Sequence, residues 1–184
     1  MIFIATRWVR PFREMERCPM ELFLVQHAES KPKEEDSERS LTEAGVAAAR
    51  RMADWAARVG VRIDHIRHSG KTRAAQTASI LGERLTPKTG VQAVPGINPL
   101  DDPAPLAEEL QSQAEPLMLV GHLPFLSRLA GSLLAGDPDR QVVRFENTGL
   151  VCLQRTEGVW SLSWVMLPRL LDTAPIDLDG SSAT

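Results

Sequence analysis

Two stretches of the chain share a pattern in which four apolar residues lead to a histidine. Residues 22–25 lead through Gln26 to His27, and residues 117–120 lead to His122 after a single glycine. Continuous apolar runs of this length are typical of strands that are covered on both faces, as in parallel α/β sheets. Because ligand sites in such sheets lie beyond the carboxyl ends of the strands, the pattern predicts that both histidines face one site.

A third stretch adds cations to this predicted site. Residues 63–66 can form a short strand, which leads through Ser69 and Lys71 into a helix over residues 72–85. Arg73 falls in the first turn of that helix, where a positive charge is unfavourable against the helix dipole unless an anion is held nearby. A solvated helix residue is the plainer interpretation of Arg73 alone, as a hydrogen-bonding residue is of a lone histidine. The three stretches together favour a site for an anion.

The rest of the chain alternates between helical and extended patterns. A Ser-Leu-Thr-Glu capping box at residues 40–43 begins an amphipathic helix. Further helices are predicted at residues 104–112 and from Pro124 onward. Residues 91–99 are predicted to form an edge strand and a turn, and further strands are predicted at residues 142–145, 150–154 and 159–166. This order predicts an α/β fold, a single domain with three layers (α/β/α) around a mainly parallel sheet.

Composition and charge narrow the classes of function. A chain of 184 residues is long enough for one compact domain. Its formal net charge of -3 gives no global attraction to nucleic acid or to an anionic membrane, so we predict neither as a partner. An anionic substrate must then be captured by local cations.

The four histidines and two cysteines do not form a metal-binding motif. His65 and His68 are close in sequence, but no carboxylate or cysteine cluster accompanies them. Cys18 and Cys152 are far apart and give no disulfide framework. We therefore predict a cytoplasmic protein with free thiols, with no metal and no cofactor.

The two ends of the chain differ from its middle. Residues 1–19 carry four arginines and an apolar start that is too short for a signal peptide or a membrane span. We interpret them as an N-terminal extension, either a basic or loosely packed arm or the result of a start assigned upstream of Met20. The second is favoured because Met20 immediately precedes the first strand. Residues 20–171 form the predicted domain, and residues 172–184 a disordered tail.

The charged residues 31–39 lie directly after the turn that carries His27, and they are too polar for a core element. A solvated loop is the plainer interpretation of this segment. The functional interpretation is a flexible rim over the site that selects the substrate. The acidic residues of such a rim disfavour a highly anionic small molecule.

The Leu-Val-Gln-His-Ala-Glu stretch around His27 resembles the Arg-His-Gly or Arg-His-Ala signature of the histidine phosphatases. Ser69 with Arg73 resembles the second motif of that family, and the Gly-His pair that ends at His122 resembles its closing histidine. The order and spacing of these motifs extend the resemblance over about residues 20–171. The short chain is similar in particular to the SixA-type phosphohistidine phosphatases. The resemblance implies the histidine phosphatase, or phosphoglycerate mutase-like, fold.

The resemblance also implies an activity. It is the metal-independent hydrolysis of phosphohistidine on a protein through a phospho-His27 intermediate, which splits one displacement into two easier ones. The implied partners are phosphate ion and a phosphohistidine-carrying protein, such as a phosphorelay domain in signal transduction. The implied catalytic residues are His27, His122 and Arg73, and the implied phosphate-binding positions are Gln26, Ser69, Arg73 and His122.

Two residues depart from the family pattern. Gln26 stands where the signature has an arginine, so an amide replaces a charged, bidentate fork. We hypothesise that Lys71 supplies the missing charge and binds phosphate. Gly96 stands where many phosphomonoesterases of the family carry an acid that protonates an alkoxide leaving group. Asp101 and Asp102 are the candidates to replace that acid, although Asp-Asp-Pro is more typical of a turn.

Three functions remain open at this point. A SixA-type phosphohistidine phosphatase is preferred, because imidazole is a better leaving group than an alkoxide and both histidines and Arg73 are present. A phosphomonoesterase for a small metabolite would use Asp101 or Asp102 as its acid. A phosphohistidine-binding protein with weakened or lost activity would follow from Gln26.

Overall fold

The computed structural model of the protein describes residues 19–171. The predictions of an N-terminal extension and a C-terminal tail fall on residues 1–18 and 172–184, which lie outside the described residues. The elements, in chain order, are β1 (Met20–Gln26), α1 (Glu43–Arg58), β2 (His65–His68), α2 (Thr72–Leu85), β3 (Val91–Ala93), α3 (Ala104–Glu109), β4 (Leu117–Gly121), α4 (Phe125–Ala135), β5 (Leu150–Thr156), β6 (Val159–Met166) and a short 3-10 helix (Pro168–Leu170).

The strands form a six-stranded sheet in the order β3-β2-β4-β1-β5-β6. The first four strands in this order run parallel, whereas β5 pairs antiparallel with β1, and β6 with β5. The prediction of a mainly parallel sheet is therefore confirmed. Gln26 lies opposite Gly121, and His68 lies opposite Val120. The carboxyl ends of β1, β2 and β4 consequently meet at one edge.

Helices cover both faces of the sheet, which confirms the three-layer arrangement. Leu22 and Leu24 of β1 join the apolar cluster under α3 and α4, whereas Phe23 and Val25 join the cluster under α1 and α2. Each of the four side chains is at most 1% exposed. Their continuous apolar run follows from burial on both faces. Burial of a side chain of this size contributes about 1.5–3 kcal/mol.

The helix predicted from the capping box begins directly after Thr42, which is its N-cap in place of Ser40. The Thr42 hydroxyl accepts from the N–H of Gly45 at 2.9 Å. Gly45 has a second reason to be glycine, because a Cβ there would overlap the carbonyl oxygen of Glu29. The first turn of α1 therefore packs against the loop that carries His27.

Two of the predicted strands differ from the structure. The strand predicted at residues 63–66 lies two residues later, as β2. The strand predicted at residues 142–145 is wrong, because these residues form no ladder. Val143 and Phe145 are nevertheless buried, at 6% and 9% exposure. Their alternation with polar residues comes from a loop that packs on the core.

Candidate active site

The carboxyl ends of β1, β2 and β4 bring the sequence-predicted polar residues together. The rings of His27 and His122 lie with their centroids 4.9 Å apart. The backbone N–H of His27 donates to the carbonyl oxygen of Gly121 at 3.0 Å. The pairing of β1 with β4 therefore continues into the site. Arg73 and Ser69 reach the two rings from α2 and from the end of β2.

His27 is a neutral imidazole whose tautomer is set by its partners. Its Nδ1 lies 2.7 Å from the carbonyl oxygen of Ala28, and because a carbonyl oxygen only accepts, Nδ1 carries the proton. Arg73 donates its Nε–H to His27 Nε2 at 3.0 Å, which places a lone pair on Nε2. Burial lowers the pKa of His27 to about 4; the bond to Ala28 opposes this, and the charges of Arg73 and Arg39 add to it. An unprotonated imidazole is the nucleophilic form.

His122 is more deeply buried, at 2% exposure, and it has a different partner. Its Nε2 lies 2.6 Å from the Ser69 hydroxyl, whereas its Nδ1 has no hydrogen-bond partner among the described residues. Burial lowers the pKa of His122 to about 3, and the positive charges of Arg73, Lys71 and Arg39 act in the same direction. Both rings are therefore neutral at pH 7.

A buried threonine ties the start of α2 to the loop of His27. The Thr77 hydroxyl accepts from the N–H of Ala28 at 3.0 Å and donates to the carbonyl oxygen of Arg73 at 2.7 Å. Burial lowers the pKa of Arg73, as does the charge of Arg39, but a guanidinium remains protonated in proteins. The first turn of α2 also has no side-chain cap. Free N–H groups and a guanidinium at a helix N-terminus favour anion binding.

The turn between β2 and α2 places Ser69 and Lys71. Gly70 between them has φ +80°, a conformation that favours glycine. Its N–H donates to Nδ1 of His68 at 3.1 Å. Burial lowers the pKa of His68, so the ring accepts this bond in its neutral form. Lys71 is the N-cap residue of α2, and its charge acts on His122.

Comparisons with known proteins agree with this geometry. A family model described as the histidine phosphatase superfamily (branch 1) matches residues 22–98. The chain is also 25% identical, over 155 residues, to the phosphohistidine phosphatase SixA of Escherichia coli (strain K12), a match that covers 81% of this chain and 94% of SixA. Both matches are similarities to the histidine phosphatase superfamily.

Solved structures share the superfamily fold. The structure of the protein histidine phosphatase SixA complexed with tungstate has a TM-score of 0.74 and 25% identity, and the match covers 83% of this chain and 99% of that one. A phosphoserine phosphatase from Entamoeba histolytica has a TM-score of 0.63 and 17% identity, and covers 79% of this chain and 96% of its own. The family-model match and the SixA similarity support phosphatase activity. The fold alone does not select between phosphohistidine and phosphoserine.

Arg39 was not predicted from the sequence as a residue of the site. This residue ends the charged loop of residues 31–39 with φ 54°, and its Nε–H donates to the carbonyl oxygen of Lys31 at 3.3 Å. Its charge contributes to the lowered pKa values of His27 and Arg73. The charged loop, which carries four acidic and three basic residues, therefore contributes a cation to the site. The available signal was the position of Arg39 directly before the capping box.

The charged loop is folded around one carboxylate. Asp36 accepts from the hydroxyl and the N–H of Ser40, the latter at 2.9 Å, and from the N–H of Glu38 at 3.0 Å. These bonds lower the pKa of Asp36, with the Ser40 hydroxyl as the largest cause. Thr72, the first residue of α2, donates its hydroxyl to Glu38 at 3.2 Å. The loop is therefore connected to α2 near Arg73.

Gln26 lies at the same edge as the histidines, at the end of β1. Its amide Nε2–H donates to Oδ1 of Asn147 at 2.6 Å. Asn147 is a second residue that the sequence reasoning missed. The residues from 147 to 149 are close to Gln26 only because β5 pairs antiparallel with β1, a pairing that local sequence patterns do not specify.

The two carboxylates considered as replacements for the missing acid are engaged in turns. Asp101 accepts from the backbone N–H and the side-chain amide of Asn98, at 2.7 Å and 3.0 Å. Asp102 accepts from the N–H of Ala104 at 3.1 Å, next to the start of α3. Gly96 has φ +79° and belongs to the same chain reversal. These bonds favour a turn-forming role for both carboxylates.

An apolar groove of about 380 Å³ lies away from this site, between α1 and the sheet, and is lined by Glu21, Phe23, Trp55, Val59, Gly60, Val61, Trp164, Val165 and Met166. Its lining includes no cation, so it is unsuited to a phosphoryl group. Within residues 19–171 no group of three or more His, Cys, Asp or Glu side chains is arranged to hold a metal ion. No helix in the described range has the length and apolar character needed to cross a membrane.

Proposed function

We propose that the protein hydrolyses phosphohistidine on a partner protein through a phospho-His27 intermediate and without a metal ion. The observation that carries this proposal is the state of His27. Its Nε2 bears a lone pair directed at the Arg73 guanidinium, and its Nδ1 proton is held by the carbonyl oxygen of Ala28. A neutral imidazole of fixed tautomer beside a cation is prepared to attack a phosphorus atom and to retain the phosphoryl group.

In the first step His27 Nε2 attacks phosphorus while the bond from phosphorus to the substrate imidazole breaks. The Arg73 N–H that bonds Nε2 in the free protein is available to the phosphoryl oxygens once the new bond forms. Preorganised donors of this kind stabilise the charge of an in-line transfer. The first turn of α2, with Lys71 as its N-cap, adds N–H groups and a charge at the same place.

In the second step water attacks the phospho-His27 phosphorus, and His27 departs with its Nδ1 proton still bonded to Ala28. Ser69 and His122 form a pair of polar groups beside His27 and hold the phosphoryl oxygens in this scheme. Splitting the displacement into two steps through a covalent intermediate lowers each barrier.

We propose phosphohistidine in preference to a phosphate ester because, among the residues that the structure describes, no candidate general acid of the site is free to protonate a leaving group. An alkoxide leaving group needs a general acid, whereas an imidazole leaves much more easily. Asp101 and Asp102 are engaged by Asn98 and Ala104, and Gly96 has no side chain to donate a proton. A small-molecule phosphomonoesterase remains the alternative, and it would require one of these aspartates to leave its turn.

The similarity to SixA of Escherichia coli favours a protein as the carrier of the phosphohistidine. A phosphorelay domain is the class of partner that fits this proposal, and a cytoplasmic location is part of it. The rim of the site carries the cations Arg39 and Lys71, which would meet the phosphoryl group of such a partner.

A second candidate is a binding protein with weakened catalysis. The observation that favours it is the amide of Gln26, which brings donors but no charge to the place of the signature arginine. Loss of one preorganised electrostatic contact costs on the order of 3 kcal/mol in the barrier. Lys71 is our candidate for compensation because its charge reaches His122.

The experiment measures phosphate release, in the presence of a chelator, from three substrates: a histidine-phosphorylated protein, free phosphohistidine and an aryl phosphate ester. The unmodified chain is compared with His27→Ala and with a matched control, His65→Ala. His65 begins β2, and its ring is hydrogen-bonded to the Thr89 hydroxyl. We expect release from the first two substrates only, and no release by His27→Ala. Preferred turnover of the ester, or binding of the phosphoprotein without release, would contradict the proposal.

A further inference from the structure

The side chain of Gln26 has one partner, and that partner lies on a different segment of the chain. The amide Nε2–H donates to Asn147 Oδ1 at 2.6 Å. The backbones of the two residues also form a parallel bridge, and the N–H of Thr148 donates to the carbonyl oxygen of Gln26 at 2.8 Å. Backbone and side chain therefore align Asn147 with the end of β1.

The backbone of the turn does not explain an asparagine at position 147. The residue in the left-handed conformation is Thr148, with φ 67°, and it is buried at 1% exposure. Asn147 has an exposed side chain and lies outside the apolar clusters. Asparagine is favoured where a residue adopts positive φ or bonds its own backbone. Asn147 instead bonds the side chain of Gln26.

The segment that carries Asn147 is fixed on both sides. Phe145 is buried in the core, and the N–H of Gly149 donates to the carbonyl oxygen of Glu146 at 2.9 Å. A Cβ on Gly149 would lie 3.0 Å from that same carbonyl oxygen, so the turn is tight. The acceptor presented to Gln26 is therefore held in place by the fold.

We infer that Asn147 is a positioning residue, which orients the Gln26 amide so that the two side chains together replace the signature arginine as a neutral phosphate-binding pair. The second N–H of Gln26 and the amide nitrogen of Asn147 have no partner in the part of the chain that the structure describes. Gln26 ends β1 directly before His27, so these N–H groups are the donors that the pair offers at the edge of the sheet where the histidines lie. The inference rests on the proposed function, since it takes the phosphoryl group to bind at His27.

A neutral pair of amides binds phosphate less strongly than an arginine does. Bonds from a guanidinium to phosphate are charge-assisted and about twice as strong as neutral bonds. The pair contributes donors to the transferring group, while it holds inorganic phosphate, the product, less tightly. The positive charge of the site is left to Arg73, Arg39 and Lys71, whose charges all act on His122.

The test is a double-mutant cycle on the dissociation constant for inorganic phosphate, measured by ³¹P NMR titration, which does not require turnover. The chains are the unmodified protein, Gln26→Ala, Asn147→Ala and the double variant. Each single variant removes one positioned neutral hydrogen bond to phosphate, so each is expected to weaken phosphate binding about fivefold. The double variant is expected to be no weaker than either single one. In a Gln26→Arg background, Asn147→Ala is expected to have little effect.

The control is Gln154→Ala. Gln154 donates its amide to Glu21 at 3.2 Å at the other end of the β1–β5 ladder, and its loss should leave phosphate binding unchanged. Additive losses in the cycle, unchanged binding in Asn147→Ala, or no measurable phosphate binding by the unmodified chain would overturn the inference. A coupled pair in a chain that does not hydrolyse phosphohistidine would uphold it while the proposed function fails.

Discussion

His27 and His122 occupy matching places after neighbouring parallel strands, yet the structure holds them in different ways. His27 is half-buried between a backbone carbonyl and a guanidinium. His122 is 2% exposed, bonds a single hydroxyl and leaves Nδ1 without a partner among residues 19–171. The partners of His27 determine which nitrogen has the lone pair, whereas the partner of His122 does not.

In the proposed function, this difference separates two tasks that histidine side chains perform in one site. A nucleophile needs one nitrogen with a lone pair in a fixed direction. A group that holds a transferring phosphoryl needs a fixed position in a water-poor place, where each contact is stronger. Loss of the His27 ring should therefore abolish the reaction, and loss of the His122 ring should slow it.

The largest expected effect separates the two histidines directly. His27→Ala is expected to lower kcat/KM for phosphohistidine by at least about 10⁴-fold, as loss of a covalent nucleophile does. His122→Ala is expected to cost about 10²- to 10³-fold, as loss of one electrostatic contact does. Steady-state phosphate release gives both values, and radiolabelled phosphoenzyme should form in His122→Ala but not in His27→Ala. Equal losses with no phosphoenzyme in either variant would remove the distinction.

The next effect concerns the cation on the His27 side. Arg73→Lys keeps the charge but loses the Nε–H that bonds His27 Nε2 and the planar fork. We expect a loss of about 10²-fold in kcat/KM. Arg84→Lys is the matched control, because Arg84 lies at the far end of the same helix and pairs with Asp54 at the surface. A similar loss in both variants would indicate damage to α2 rather than to the site.

Acidification should act through both histidines. Their folded pKa values, about 4 and about 3, lie below the usual 6.5. Between pH 6.5 and these values the unfolded chain binds protons that the folded chain does not, so stability falls as pH falls. We expect the free energy of unfolding, measured with urea, to fall by on the order of 4 kcal/mol between pH 6.5 and 4.5, about half of it from each ring. Histidine NMR signals, assigned with His27→Ala and His122→Ala, should show no titration of either ring above pH 5. A midpoint near 6.5 for His27 would contradict its burial as the cause.

The smallest effect concerns the hypothesis that Lys71 compensates for Gln26. Lys71→Ala is expected to lower kcat/KM about fivefold, with a smaller loss at high salt because the charge is partly exposed and screened. Lys71→Arg should retain activity. Lys88→Ala, which removes an exposed lysine paired with Asp64, is the control. Unchanged activity in Lys71→Ala would mean that the missing charge has no substitute here.

Parts of the fold were predictable because local patterns report burial. The runs before His27 and His122 are apolar throughout because both faces of β1 and β4 are covered. β2 was misplaced by two residues because its His65 and Arg67 interrupt the apolar pattern. Apolar and polar residues alternate over residues 143–146 as in a strand, but these residues form no ladder. The alternation therefore reported the burial of Val143 and Phe145 and not strand pairing.

The types of residue in the site could be predicted from the sequence, but only some of the individual residues could. His27, Ser69, Arg73 and His122 follow from strand ends and a helix start, and the structure brings them together. Arg39 and Asn147 were missed because each reaches the site through a turn whose course depends on other segments. Asp36 folds the loop of Arg39, and the β1–β5 pairing brings Asn147 to Gln26.

Local patterns in the amino-acid sequence were enough to predict the alternation of strands and helices, the histidines at two strand ends, the arginine at a helix start and the amide in place of an arginine. These features depend on neighbours within a few positions, where periodicity and capping act. The tertiary structure decided the tautomer of His27, the lowered pKa values, the engagement of Asp101 and the partner of Gln26. Each of these depends on a distance of a few ångströms between backbone and side-chain atoms, and such distances are fixed only when the strands pair and the turns close.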